Sequence, residues 1–293
     1  MSAKFKGAGD DKNNPDGAED TGHVWDDNLR DLTNPPPKWW LLGLYASGIW
    51  VIGYVVLYPS IPLVTGHTTG LMGWTAIKEY TQDKLAIDAV RAPYEKRIKE
   101  MSAEAILADR ELVNYVTRSA KVLFGDNCTP CHGAGGQGNP GYPVLADDDW
   151  LYGGGIAQIE ESITNGRQGM MPAHGATLSA QHIEDAAKHV QAMSEGAEYA
   201  PGKEVFMSSG CTGCHGTDAK GNAAIGATNL TDSVWRFAST LDAIKYTITH
   251  GVNDASDPQT RAALMPGWGA SGRISAAEIK KMAVYVHELG GGK

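Results

Sequence analysis

Two short stretches, CTPCH at residues 128–132 and CTGCH at residues 211–215, hold all four cysteines of this 293-residue chain. In each, two thiols stand two residues apart with a histidine directly after the second. Thiols at that spacing add to the two vinyl groups of a protoporphyrin and place the next side chain beneath its iron, the pattern of covalent haem attachment. On this reading Cys128, Cys131, Cys211 and Cys214 form thioethers, His132 and His215 are proximal iron ligands, and the chain carries two covalently bound haem c groups. A zinc ribbon brings its cysteine pairs within about 15–20 residues of each other, far closer than these two motifs stand. A thioredoxin-type dithiol has no need of an adjacent histidine in two tandem copies. A disulfide framework would scatter its cysteines along the chain.

A sixth iron ligand is expected downstream of each motif. The first copy offers Met170, Met171 and His174, whereas the second offers Met265. Met171-Pro172 aligns with Met265-Pro266, while Met170 falls opposite Leu264. Proline also keeps the residue before it extended, which helps to fix the direction of the sulfur. The expected ligands are therefore Met171 for the His132 site and Met265 for the His215 site, with Met170 or His174 as the fallback at the first.

The elements that position these residues repeat as well. AKVLFGDNCTPCHG matches GKEVFMSSGCTGCHG, VLADDDW matches NLTDSVW, ITNG matches ITHG, and LSAQHIEDAAKHVQ matches ISAAEIKKMAVYVH. Each copy reads as a short helix, the cysteine motif, a long loop-rich middle and a terminal helix. The second carries the longer loop VNDASDPQTRAA. Ser179 and Ser275 stand at N-cap positions of the terminal helices, and Glu278 completes a capping box. The copies predict two domains, 111–198 and 199–293.

Ahead of them, residues 39–58 (WWLLGLYASGIWVIGYVVLY) contain no charge. At about 1.5 Å per residue they reach roughly 30 Å, the thickness of a bilayer's hydrocarbon core. This predicts an uncleaved membrane helix over 38–58, with Trp and Tyr at both interfaces. Arg30 and Lys38 precede it closely, and the next basic residue is Lys78. The positive-inside rule then puts the N-terminus in the cytoplasm and the haem domains outside, in the periplasm of a bacterium. Residues 1–37 are polar and proline-terminated, and read as a disordered tail. Residues 59–110 read as a periplasmic connector of helical segments, interrupted at Pro93.

Charge is uneven. Residues 111–198 hold four Lys and Arg against eleven Asp and Glu, including Asp147, Asp148, Asp149, Glu160 and Glu161. Such a face suits a cationic protein partner. No basic surface suggests nucleic acid.

Each repeat resembles a class I cytochrome c domain, so the fold expected is mainly α: one transmembrane helix followed by two such domains in tandem. Over nearly its full length the chain resembles the membrane-anchored dihaem subunit of cbb3-type cytochrome c oxidases. DNLRDLTNPPPKWW, YVVLYPS, GWTAIKEY and NLTDSVW carry that closer match. The resemblance implies an electron relay in the bacterial inner membrane, not an enzyme by itself. It would run from a donor cytochrome c, through a monohaem cytochrome c subunit, to a catalytic haem–copper subunit, in a complex that also pumps protons. It also implies a proline where Thr228 stands, next to a carbonyl that orients the proximal histidine. Two other roles compete: a dihaem peroxidase, which needs one open iron position, and the electron-transfer subunit of a periplasmic dehydrogenase.

Overall fold

The computed structural model describes residues 20–25, 29–33 and 35–292. The chain divides into two units, Met1–Asp88 and Ala89–Lys293.

In the first unit, the disorder expected of residues 1–37 falls largely outside the described residues. Where residues are described, β1 (Asp20–Trp25) pairs antiparallel with β2 (Leu29–Leu32). The local reason is a strand-favouring Val24-Trp25 pair set opposite Arg30 and Leu29. Trp25 Nε1–H also donates to Asp31 at 3.1 Å. The expected membrane helix is α1 (Lys38–Leu57), and none of its residues is buried against the chain, as lipid contact requires. Pro37 precedes it, where a missing N–H costs nothing. Its last carbonyls, on Val56 and Leu57, accept from Leu71 N–H and Met72 N–H at 3.0 and 3.1 Å. Gly70 makes that return possible: its φ is +67°, and a Cβ there would lie 2.4 Å from the Leu57 oxygen. A small ribbon, β3 (Pro62–Leu63) with β4 (Gly66–His67), fills the intervening loop.

The connector differs from expectation. Helix α2 (Ala76–Glu100) runs through Pro93 without a break. One proline removes one ladder bond, and the remaining turns, rich in Ala, Lys and Glu, propagate past it.

In the second unit α3 (Ala103–Leu107) and α4 (Arg110–Asn127) lead into the first cysteine motif on α5 (Thr129–His132). There follow α6 (Ile156–Asn165) and α7 (Ala180–Ser194). The second copy repeats the order with α8 (Ala200–Ser208), α9 (Cys211–His215), α10 (Leu241–His250) and α11 (Ala276–His287). Both serine caps form, and Glu278 returns to Ser275 N–H at 2.9 Å. The middle helices α6 and α10 occupy stretches expected to be loop. Their signal was the spacing Ile156, Ile159, Ile163 in one and Ile244, Ile248 in the other, with Thr240 capping the second.

The two repeats do not fold as two separate bodies. One core joins α4 (Leu112, Val116, Phe124) and α6 to α11 (Met282, Val284, Val286), the terminal helix of the other repeat. The second core joins α7 (Ile183, Ala187, Val190) to α8 and α10. Each terminal helix therefore packs in the opposite repeat, and the boundaries 111–198 and 199–293 mark sequence copies rather than packed units. Five residues separate α7 from α8, so α7 folds back on its chain neighbour and leaves the face of α4 to α11. Gly202 permits that close crossing, since a Cβ there would stand 2.0 Å from the Asp185 carbonyl oxygen. Burying each large side chain of the first core contributes about 1.5–3 kcal/mol. Lys280 adds polar anchorage by donating to the Met101 and Lys99 carbonyls at the end of α2.

Candidate functional site

Each cysteine motif forms a single helical turn. His132 N–H and Cys131 N–H both donate to the Cys128 carbonyl, at 2.9 and 3.2 Å, which sets both thiols and the imidazole around one turn. Gly133 and Gly216, with φ of +76° and +80°, end the two turns in a conformation that L side chains resist.

The imidazoles are oriented identically. His132 Nδ1 meets the Pro143 carbonyl at 2.9 Å, and His215 Nδ1 meets the Thr228 carbonyl at 2.9 Å. Nδ1–H is the donor in each, which commits that nitrogen and leaves Nε2 as the free lone pair for a metal. Thr228 thus supplies the acceptor with its backbone carbonyl, which a proline would carry as well. Burial lowers the pKa of both histidines, which favours the neutral imidazole. Burial also pushes the Cys128 thiol up to about 11, with Cys131 adding repulsion, and raises Cys211. Both shifts run opposite to the lowered thiol pKa that disulfide exchange needs.

Two cavities open beside these turns, of about 1380 Å³ for the first motif and 1580 Å³ for the second, mouths included. The first is lined by Cys128, Cys131, His132, Trp150, Trp268 and Met265. The second is lined by Cys211, Cys214, His215 and Trp235, and by Met171, Met170 and His174. The methionines are exchanged: Met265 shares a cavity with His132 and Met171 with His215, so the expected pairing within each copy is reversed. Met170, the fallback, is 67% exposed at the mouth of the second cavity.

The exchange is built by two matching clasps. Arg167 N–H donates to the Met265 carbonyl at 3.0 Å, and Met265 N–H to the Arg167 carbonyl at 2.8 Å. Met171 and Val252 exchange the same pair of bonds at 2.9 Å each. Arg167 and Val252 directly follow the repeated ITNG and ITHG tetrapeptides. The glycine of each tetrapeptide lets the opposite Met-Pro loop approach. A Cβ on Gly166 would lie 2.4 Å from the Met265 oxygen, and one on Gly251 would lie 2.4 Å from the Met171 oxygen. The long loop of the second repeat adds support for Met171. Asp254 accepts from Ala173 N–H at 2.7 Å, and Asn253 Nδ2–H donates to the Gly169 carbonyl at 2.6 Å. His250 serves that loop through Asp257, at 2.9 Å.

The acidic run is less open than its composition suggests. Asp148 is exposed, but Asp147 is partly buried with a raised pKa, and Glu161 pairs with Arg167 at 3.3 Å.

A membrane-length helix joined to two histidine–methionine cavities, each beside a Cys-x-x-Cys turn, defines a membrane-anchored dihaem c-type cytochrome. Comparison narrows this class. Residues 17–65 match the family model "N-terminal domain of cytochrome oxidase-cbb3, FixP", residues 116–190 match "Cytochrome C oxidase, cbb3-type, subunit III", and residues 199–290 match "Cytochrome c". Similar proteins include the cbb3-type cytochrome c oxidase subunit FixP of Azorhizobium caulinodans, 40% identical over 94% of each chain. The subunit CcoP of Cereibacter sphaeroides is 36% identical over 96% of this chain and 98% of its own. The chain belongs to the subunit III family of cbb3-type cytochrome c oxidases. It is a membrane-anchored, electron-relaying subunit with two covalently bound haem c groups, not the catalytic one.

Proposed function

We propose that the haem attached through Cys128 and Cys131 is ligated by His132 and Met265, and that attached through Cys211 and Cys214 by His215 and Met171. When bound, each haem supplies a one-electron iron couple whose potential thioether ligation raises. The protein's part is to hold the ligands. Pro143 and Thr228 fix the imidazoles through Nδ1–H, and the two clasps fix the methionines. Each cavity offers a histidine and a methionine that would together hold the iron, an arrangement that would not leave the open position a peroxidase needs. The observation that carries this reading is the meeting of a motif histidine and a Met-Pro methionine in each cavity.

Electrons arrive from a donor cytochrome c. They leave through a monohaem cytochrome c subunit toward a catalytic haem–copper subunit. Helix α1 sits among lipids of the bacterial inner membrane, with the N-terminus cytoplasmic and both haems periplasmic; nucleic acid plays no part. The test is to denature the chain and measure its haem by mass and haem stain. Two haems are expected, and one after Cys128→Ala with Cys131→Ala. A haem-free chain overturns the ligation scheme. Purification in mild detergent should recover copper and haem b with this chain; recovery of a dehydrogenase instead overturns the route.

A further inference from the structure

One cation sits in the wall between the two cavities. Arg236 lines both of them. Its Nε–H donates to the Gly141 carbonyl at 3.0 Å, and its own carbonyl accepts from Gly141 N–H at 2.8 Å. A residue of the second repeat is thereby pinned to a loop of the first. Among the described residues no carboxylate pairs with its guanidinium; its side chain makes the one hydrogen bond to Gly141 and lies 5.8 Å from the centre of the Phe237 ring. Arg167, which lines the first cavity alone, is the contrast. Its Nε–H goes to Ser162 Oγ at 2.8 Å and its Nη1–H to Glu161 at 3.3 Å.

Desolvation is the main cause that lowers the pKa of Arg236, with the Tyr152 and Tyr142 phenols opposing it. A guanidinium drawn out of water is costly unless an anion meets it. Its planar fork presents two Nη groups that suit carboxylates. The equivalent position in the first repeat is Leu151, so the charge is not a packing feature common to both copies. The cofactor of each cavity carries two propionate carboxylates.

We propose that Arg236 is a positioning residue shared by both haems, one guanidinium that anchors a propionate from each side of the wall and joins the two redox centres electrostatically. The proposal rests on the haem reading above. A cation beside an iron centre favours the ferrous state, so its removal lowers the potential of each haem that it serves. One unit charge lost from a partly desolvated wall is expected to shift the ferrous-to-ferric ratio roughly tenfold, which is about 59 mV for a one-electron couple.

The experiment compares the full-length, haem-loaded wild type with Arg236→Gln and Arg236→Lys. Haem content is measured first, then both potentials by redox titration. Two haems per chain with both potentials lowered in Arg236→Gln, each by the equivalent of a roughly tenfold change in ferrous-to-ferric ratio, and both near wild type in Arg236→Lys, is the expected result. A shift at one haem only, or at neither, overturns the shared anchor while leaving the haem reading intact. A wild-type chain without two covalent haems overturns the haem reading itself. If Arg236→Gln does not assemble, redox-difference infrared spectra of guanidino-¹³C-arginine wild type against Arg236→Lys decide. An isotope-sensitive band specific to the wild type should move as each haem is reduced, and a band that moves at one step or none overturns the proposal.

Discussion

Gly166→Ala tests the clasp at its tightest point. Gly166 has φ +74°, and a Cβ there would meet the Met265 oxygen at 2.4 Å, the Gly267 nitrogen at 2.6 Å and the Pro266 carbonyl carbon at 2.8 Å. All three are backbone atoms, so no side chain can swing aside; the Met265–Pro266 loop must retreat. With φ +74° and ψ 180°, this backbone is one that essentially glycine alone adopts, and it costs an alanine about 1–3 kcal/mol. Retreat also breaks the two bonds between Arg167 and Met265, worth about 1 kcal/mol each. Together these come to roughly 3–5 kcal/mol against the clasped loop, a shift of a few hundredfold or more in its local equilibrium. The assay is the weak near-infrared sulfur-to-iron band of the oxidised protein, followed through a redox titration that separates the haems. The haem on Cys128 and Cys131 should lose its band and drop in potential, while the other keeps both. Loss at the Cys211 haem instead, or an undisturbed band at both, would refute the reasoning.

Three further outcomes follow from particular contacts. Glu95 is partly buried, which raises its pKa, but Tyr115 Oη–H at 2.5 Å and Lys281 at 2.9 Å outweigh that and hold it below the ordinary glutamate range. Its contribution to stability is therefore present above the unfolded pKa and lost as pH falls through the lower folded value; acid unfolding of Glu95→Gln should show a weaker pH dependence below about pH 4.5. Ser275→Ala removes the N-cap of α11 and should cost about 1 kcal/mol in thermal or denaturant unfolding, loosening the core around Met282. Thr228→Pro should leave the potential of the second haem unchanged, because the carbonyl that accepts from His215 belongs to the backbone; a shifted potential would show that the threonine side chain matters.

The local chemistry was legible in the sequence because it is local. Two thiols and a histidine within five residues fix their own geometry, and twenty uncharged residues fix a membrane helix. The caps at Ser179 and Ser275 are equally short-ranged. What escaped was which copy a segment joins. In a duplicated chain, α7 and α11 carry interchangeable apolar faces, and repeat alignment cannot tell packing within a copy from packing across copies. The deciding features were the five-residue link from α7 to α8 and the space left by Gly202. The Met exchange left a trace in ITNG and ITHG, where the glycine is required by an approach from the opposite repeat. That requirement becomes visible only once both backbones are placed. Arg236 gave no signal beyond its type, since its place between two cavities arises from the exchange.

The exchange of methionines is the central claim, and a chain with one haem tests it most directly. In Cys211→Ala with Cys214→Ala, only the haem on Cys128 and Cys131 remains, and its sulfur-to-iron band reports its own sixth ligand. Adding Met265→Ala should abolish that band, whereas adding Met171→Ala should leave it in place. If Met171→Ala abolishes it and Met265→Ala does not, each repeat ligates its own haem and the exchanged arrangement is contradicted.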